Sequence, residues 1–174
     1  MQIQGANGSG KTSLLRILCG LSYPSDGEVH WRGRDIQTQR AHYFSEMAYL
    51  GHCLGIKSEL SALENLRVNL ALADVGFEEV EIENALARVG LAGREEIPAR
   101  ALSAGQKQRI AWARLLACPT TLWILDEPFT ALDVSGVALV RSLLEQHLER
   151  GGMAVLTSHQ PIELRGDLVR VTLS

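Results

Sequence analysis

Cysteine is scarce: Cys19, Cys53 and Cys118 are the three in 174 residues, odd in number and without a C-x-x-C pair. That argues against a disulfide or zinc framework and predicts reduced thiols in a cytosolic setting. Neither Cys118-Pro119, which reads as the proline stop after an apolar helix, nor His52-Cys53 is taken for a heme or metal ligand. Basic charge is not in excess either. The 17 Lys and Arg stand against 20 Asp and Glu, a net charge of −3, so no global basic field draws the chain to nucleic acid or to an anionic membrane. No apolar run approaches the roughly 18 residues that a membrane span needs, and the most apolar helical stretch, residues 110–118, is interrupted by Arg114. No stretch has the pattern of a secretory signal peptide. Any membrane role is therefore expected to come through a partner. Internal repeats and low-complexity tracts are also missing. What is present, 46% hydrophobic and 21% charged residues, suits one soluble α/β-sized domain with a sizeable core.

The strongest positive signal is Gly5-Ala6-Asn7-Gly8-Ser9-Gly10-Lys11-Thr12, whose G-x-x-x-x-G-K-[ST] spacing is that of a phosphate-binding loop. Glycines let successive backbone N–H groups curl around phosphate oxygens where a Cβ would obstruct them. Lys11 is expected to place its charge on the β- and γ-phosphates of ATP and Thr12 to ligate Mg²⁺. The helix that follows, about residues 12–18, points its positive N-terminal end at the phosphates. A buried strand should deliver the chain into such a loop, yet only Met1-Gln2-Ile3-Gln4 precede it. The expectation is a missing N-terminus.

Beyond a turn cluster at Pro24-Ser25-Asp26-Gly27, residues 28–32 alternate polar and apolar and read as a half-buried strand, with another at Met47–Leu50. The character then turns helical. Ser61-Ala62-Leu63-Glu64 is a capping box opening an amphipathic run to about Asp74. Residues 78–89 form a second helix ended by Gly90, and a third runs from Ser103 to about Ala117. This block, about residues 54–118, reads as an α-helical subdomain inserted in a single α/β domain spanning 1–174. Leu122–Leu125 and Met153–Thr157 are continuous apolar runs, as parallel strands buried on both faces require. With the helix at 134–149 between them they imply a right-handed crossover and a ligand site at the strands' carboxyl ends.

Chemistry-bearing residues sit at those ends. Asp126 is the candidate for the Mg²⁺ shell, Glu127 for the general base that polarises water, and His159 for a γ-phosphate contact that holds Glu127 and the water in line. Each type has a plain structural reading, and it is their order behind a phosphate loop that favours function. Ser103-Ala104-Gly105-Gln106 offers a second helix N-terminus suited to an anion. Since one nucleotide already has its cradle, this second element makes most sense serving a nucleotide held by another copy.

Residues 5–12, Leu102-Ser103-Ala104-Gly105-Gln106, Leu122 to Glu127, Ala131-Leu132-Asp133 and His159 stand in the order Walker A, signature, Walker B, D-loop and switch histidine. Together they resemble an ATP-binding-cassette ATPase over essentially the whole chain. The strings Gly51-His52-Cys53-Leu54-Gly55-Ile56-Lys57, Leu63-Glu64-Asn65-Leu66, Trp123 to Asp133 and Thr157-Ser158-His159-Gln160-Pro161 are similar, more narrowly, to ATPase subunits of cytochrome c biogenesis heme exporters. The resemblance implies a P-loop NTPase fold of the cassette type, with a mostly parallel sheet, an inserted helical subdomain and the N-terminal antiparallel strands missing. It implies hydrolysis of ATP with Mg²⁺ between two subunits arranged head to tail. Residues 5–12 of one copy and Ser103, Ala104, Gly105, Gln106 and Asp133 of the other would contact each nucleotide. It also implies an integral membrane permease as partner, heme handling, a peripheral place on the cytoplasmic face of a bacterial inner membrane, and no nucleic-acid partner.

Two departures stand out. The glutamine that most cassette ATPases carry in the loop entering the helical block falls near Cys53, a poor Mg²⁺ ligand, with His52 beside it as another candidate. The aromatic residue that stacks on adenine, with its antiparallel strands, would lie upstream of Met1, leaving residues 28–32 with an unpaired edge. Two rival readings remain: a soluble cassette ATPase acting on nucleic acid or ribosomes, and an incompletely folding fragment. Against the first stand the acidic balance and the lack of coiled-coil arms or a second cassette; against the second, the intact motifs.

Overall fold

A computed structural model describes residues 1–130, 132–158, 162, 164–165 and 168–173. In chain order the elements are β1 (Gln2–Gly5), α1 (Lys11–Leu18), β2 (His30–Trp31), β3 (Arg34–Asp35), α2 (Arg40–Glu46), β4 (Met47–Leu50), α3 (Ala62–Leu72), α4 (Glu79–Arg88), α5 (Ala104–Ala117), β5 (Leu122–Leu125), α6 (Val134–Glu149), β6 (Met153–Thr157) and β7 (Arg170–Leu173). The chain divides into two compact units: Met1–His52 with Thr120–Thr130 and Val140–Ser174, and Cys53–Pro119 with Ala131–Leu139.

The first unit is built on a five-stranded sheet in the order β4-β5-β6-β1-β7, every pairing parallel. The strand that should feed the phosphate loop is present: the few residues ahead of the loop make β1, hydrogen-bonded to β6 on one side and β7 on the other. Ile3 is fully buried there, and with Leu15, Cys19, Ile36, Tyr43, Leu122 and Ile124 it forms the core beneath the loop. β5 is buried along its whole length, as a continuous apolar run on a central strand must be. Cys19 lies in this core, and burial first, then the charge of Asp126, pushes its thiol up to about 12.

The expected strand at 28–32 shrinks to His30–Trp31, paired antiparallel with Arg34–Asp35. Arg32 and Gly33 between them both have positive φ, 51° and 76°. This is the two-residue hairpin turn whose twist matches that of the flanking strands. Trp31 Nε1 and Arg32 Nε both donate to Glu46 Oε2, fastening the hairpin to the end of α2.

The second unit contains α3, α4 and α5, each opened by a capping box. Ser61 caps α3 with Glu64, Glu78 caps α4 with Glu81, and Ser103 caps α5 with Gln106. Leu66, Leu70, Ile82, Leu86, Ile110, Trp112 and Leu115 are buried between them. Asn65 is fully buried and its polar atoms are used up. Its Oδ1 accepts from Lys57 N, and its Nδ2 donates to the carbonyls of Lys57, Leu60 and Ser61. One side chain thus pins the loop that leads into α3.

Candidate functional site

The loop at residues 5–12 runs from the carboxyl end of β1 into α1, as a phosphate cradle requires. Gly5 is demanded by close packing, because a Cβ there would sit 2.8 Å from the Leu173 carbonyl oxygen of β7. Gly10 occupies the cap position of α1 at φ 91°, in the left-handed region, and no side chain caps the helix. The first-turn amides of α1 are therefore left to an outside acceptor, at the positive end of the helix dipole. Lys11 is buried, and its ammonium donates to the carbonyls of Gly5 at 2.8 Å and Ala6 at 3.1 Å. Those two bonds hold the charge on the loop itself, at the mouth of the cradle.

The carboxylates arrive from the next strands. Asp126 follows β5, and its Oδ2 accepts from the Thr12 hydroxyl at 3.2 Å. A hydroxyl and a carboxylate oxygen at that separation are hard donors of the kind Mg²⁺ selects, so the residues present fit the cation. Glu127 comes next with φ 51°, an unusual conformation for a glutamate. The Thr130 hydroxyl reaches its Oε2 at 3.4 Å. Asn7, Gly8, Gly10, Lys11, Thr12, Asp126 and Glu127, with Ser13, line one cleft of about 300 Å³. The structure thus brings together the loop, the metal candidates and the general-base candidate.

The remaining candidates fall elsewhere. Ser103, Ala104, Gly105 and Gln106 open α5 in the second unit, where Ser103 Oγ accepts from Gln106 N and Gln106 Oε1 accepts from Ser103 N. That box uses the amides of Ser103 and Gln106. It does not use those of Ala104 and Gly105. A Cβ at Gly105 would meet nothing within 4 Å, so packing inside the chain does not require glycine there. Asp133 Oδ1 accepts from Gly136 N at 2.7 Å and Ser135 Oγ at 2.9 Å. Those bonds, the Gly136 amide first, hold its carboxyl below the usual carboxylate range. In this state it caps α6. Cys53 is an exposed free thiol, and His52 beside it is exposed as well. His159 and Ala131 lie outside the described residues.

One residue at the site, quoted above only within a family-like string, had no role expected of it. Thr157, the last residue of β6, is fully buried, accepts from Glu127 N at 2.8 Å and donates to Asp126 Oδ1 at 2.7 Å. The signal was the strand pairing: β5 and β6 run parallel with Leu125 opposite Leu156, which puts Asp126 beside Thr157.

The sequence model described as ABC transporter matches residues 1–130. The chain is 63% identical over 174 residues to the cytochrome c biogenesis ATP-binding export protein CcmA of Methylococcus capsulatus, covering 100% of this chain and 84% of that protein. It is 55% identical over 170 residues to the protein of the same name from Nitrosospira multiformis, covering 98% and 82%. Among solved structures, an ABC transporter ATP-binding protein from Pyrococcus furiosus superimposes with a TM-score of 0.85 at 25% identity, over 99% of this chain and 82% of that one. The dimeric bacterial ABC transporter cassette MJ0796 gives 0.79 at 26% identity, over 91% and 74%. A dimeric post-hydrolysis state of that cassette, bound to ADP and Pi, gives the same score, identity and coverage.

Proposed function

The chain belongs to the ABC transporter family of ATP-binding cassettes and is similar to cytochrome c biogenesis ATP-binding export proteins, and from that premise we propose how it works. It is the ATP-hydrolysing subunit of an export complex serving cytochrome c biogenesis. The reading rests above all on one observation: the Thr12 hydroxyl after β1 and the Asp126 carboxylate after β5 meet at 3.2 Å beside Lys11.

The uncapped start of α1 and the loop amides bind the β- and γ-phosphates, and Lys11 swings from its own carbonyls onto them. Thr12 and Asp126 are the residues that would hold Mg²⁺, which supplies neutralisation of the phosphate charge when bound. Glu127 accepts the proton of the attacking water, and His159 holds that arrangement in line. Ser103 to Gln106 and Asp133 of a second copy complete the site, an arrangement supported by the dimeric cassettes among the structural neighbours. The helical segment 54–118 is the inserted subdomain that carries this signature helix.

Among the described residues no helix is long and apolar enough to cross a membrane. Work on a transported species therefore needs a membrane permease, which the export-protein names of the relatives also suggest. The subunit would then sit peripherally on the cytoplasmic face of the inner membrane. Heme is the handled species that the resemblance implies.

Phosphate release from Mg²⁺-ATP by the purified chain, alone and with the permease, tests the reading. Lys11→Ala should abolish release. Release that is independent of Mg²⁺, or unchanged in Lys11→Ala, would refute it.

A further inference from the structure

Asp126 and Glu127 do not hold themselves in place. Asp126 N donates to the Leu50 carbonyl of β4 at 2.8 Å, on one side of β5. On the other side β6 contributes a side chain, the fully buried hydroxyl of Thr157. That hydroxyl has one proton, given to Asp126 Oδ1 at 2.7 Å, and a lone pair that receives the Glu127 amide at 2.8 Å. With Oδ1 taken, Oδ2 is the oxygen turned to Thr12 and the phosphate loop. The Glu127 amide belongs to a residue in the left-handed region, φ 51°, a conformation that persists only where its surroundings over-determine it. Thr157 supplies one of those determinants.

The geometry points to Thr157 as a positioning residue for ATP hydrolysis. A single hydroxyl fixes the rotamer of the metal-facing carboxylate and the backbone turn of the general base at once. Thr157 acts through Asp126 and Glu127 and touches neither nucleotide nor water itself. Its requirement is chemical: a hydroxyl that both donates and accepts. Serine meets it and valine, of nearly equal volume, does not. The inference rests on the roles proposed for Asp126 and Glu127.

Four variants test it: Thr157→Val, Thr157→Ser, Asp126→Asn and Glu127→Gln. Two quantities are measured besides melting temperature: phosphate release, and binding of a fluorescent ATP analogue with Mg²⁺ or with EDTA. Residues that orient a metal's ligands are typically worth 10–100-fold in metal affinity or activity. Thr157→Val should therefore lose roughly 10–100-fold in turnover and need about tenfold more Mg²⁺ for half-maximal Mg²⁺-dependent binding. Its binding in EDTA should be unchanged, which a general loss of structure would not give. Thr157→Ser should stay close to the parent chain in both. If Thr157→Val melts below the assay temperature, both assays are run below its melting point with the parent chain alongside, with the same expected losses. Asp126→Asn and Glu127→Gln separate the two levels of inference. If both hydrolyse normally, the roles assigned to Asp126 and Glu127 fall and the positioning role with them, whereas a parent chain that releases no phosphate overturns the proposed function. If the two variants are inactive while Thr157→Val keeps its rate and Mg²⁺ requirement, the positioning role is overturned and the function stands. A serine variant as impaired as the valine variant also overturns it.

Discussion

Helices α1 and α5 have no acidic residue in the first turn, whereas α3 carries Glu64 there and α4 carries Glu79 and Glu81. A carboxylate at a helix N-terminus stabilises the helix through its dipole but repels a phosphate. The purely structural helices of the second unit accept that stabilisation. The two helix starts assigned to nucleotide forgo it, as α2 and α6 also do. Those of α1 and α5 also differ from each other. α1 begins on an uncapped left-handed glycine and leaves its whole first turn open, while α5 is closed by the neutral box of Ser103 and Gln106. The first has the form of an anion site within one copy. The second is a self-sufficient helix end with two amides and a glycine to spare, as expected of a surface that meets phosphate only when a partner brings it.

The contrast breaks most sharply at Gly10. Alanine there faces open space but must adopt φ 91°, so Gly10→Ala should lower the melting temperature and reduce nucleotide binding and hydrolysis at least 100-fold, an estimate from disturbing a preorganised charge-stabilising site. Calorimetry and phosphate release on the same sample would check both effects. Gly105→Ala should separate them. Its φ is ordinary and its surroundings empty, so alanine should keep or raise stability by up to about 1 kcal/mol through helix propensity. Hydrolysis should still fall roughly tenfold, as when close backbone approach at a charge-stabilising site is lost. Normal hydrolysis in a stable Gly105→Ala would return α5 to a structural role.

A smaller effect sharpens the difference between the two serine-opened helices. Ser61→Ala and Ser103→Ala remove equivalent caps and should each lose about 1 kcal/mol in denaturant unfolding. Only the second should also slow hydrolysis. The smallest concerns the core beneath α1. At pH 8 an alkylating reagent should modify exposed Cys53 and leave Cys19 untouched until the chain unfolds, since burial holds that thiol protonated. Mass spectrometry of the folded chain would check it.

Much of this was legible in the sequence because the chemistry fixes residue types at fixed spacings. The loop at 5–12, the apolar strand ending in Asp126-Glu127, the Ser61 box and the helix start at Ser103 all lie where spacing placed them. What escaped depends on pairing between distant segments. Gln2–Gly5 is too short to show a period, and its status as a central strand comes from β6 and β7 on its flanks. Arg40–Glu46 buries only Tyr43 and so has no apolar stripe to read. Glu78 caps α4 although glutamate is not a favoured capping residue. Thr157 looks like any threonine closing a strand, and the register of β5 on β6 alone puts its hydroxyl between two carboxylate residues. His159, expected to contact the γ-phosphate, lies outside the described residues.

The central claim is that the site on one copy is completed by the signature helix of another. Sedimentation of the hydrolysis-slowed Glu127→Gln chain tests it most directly. With Mg²⁺-ATP the mass should double from 19.0 kDa, and it should return to that value with ADP or when Lys11 is replaced by alanine in the same chain. A species that stays at 19.0 kDa at saturating ATP, or one that doubles without nucleotide, would contradict it.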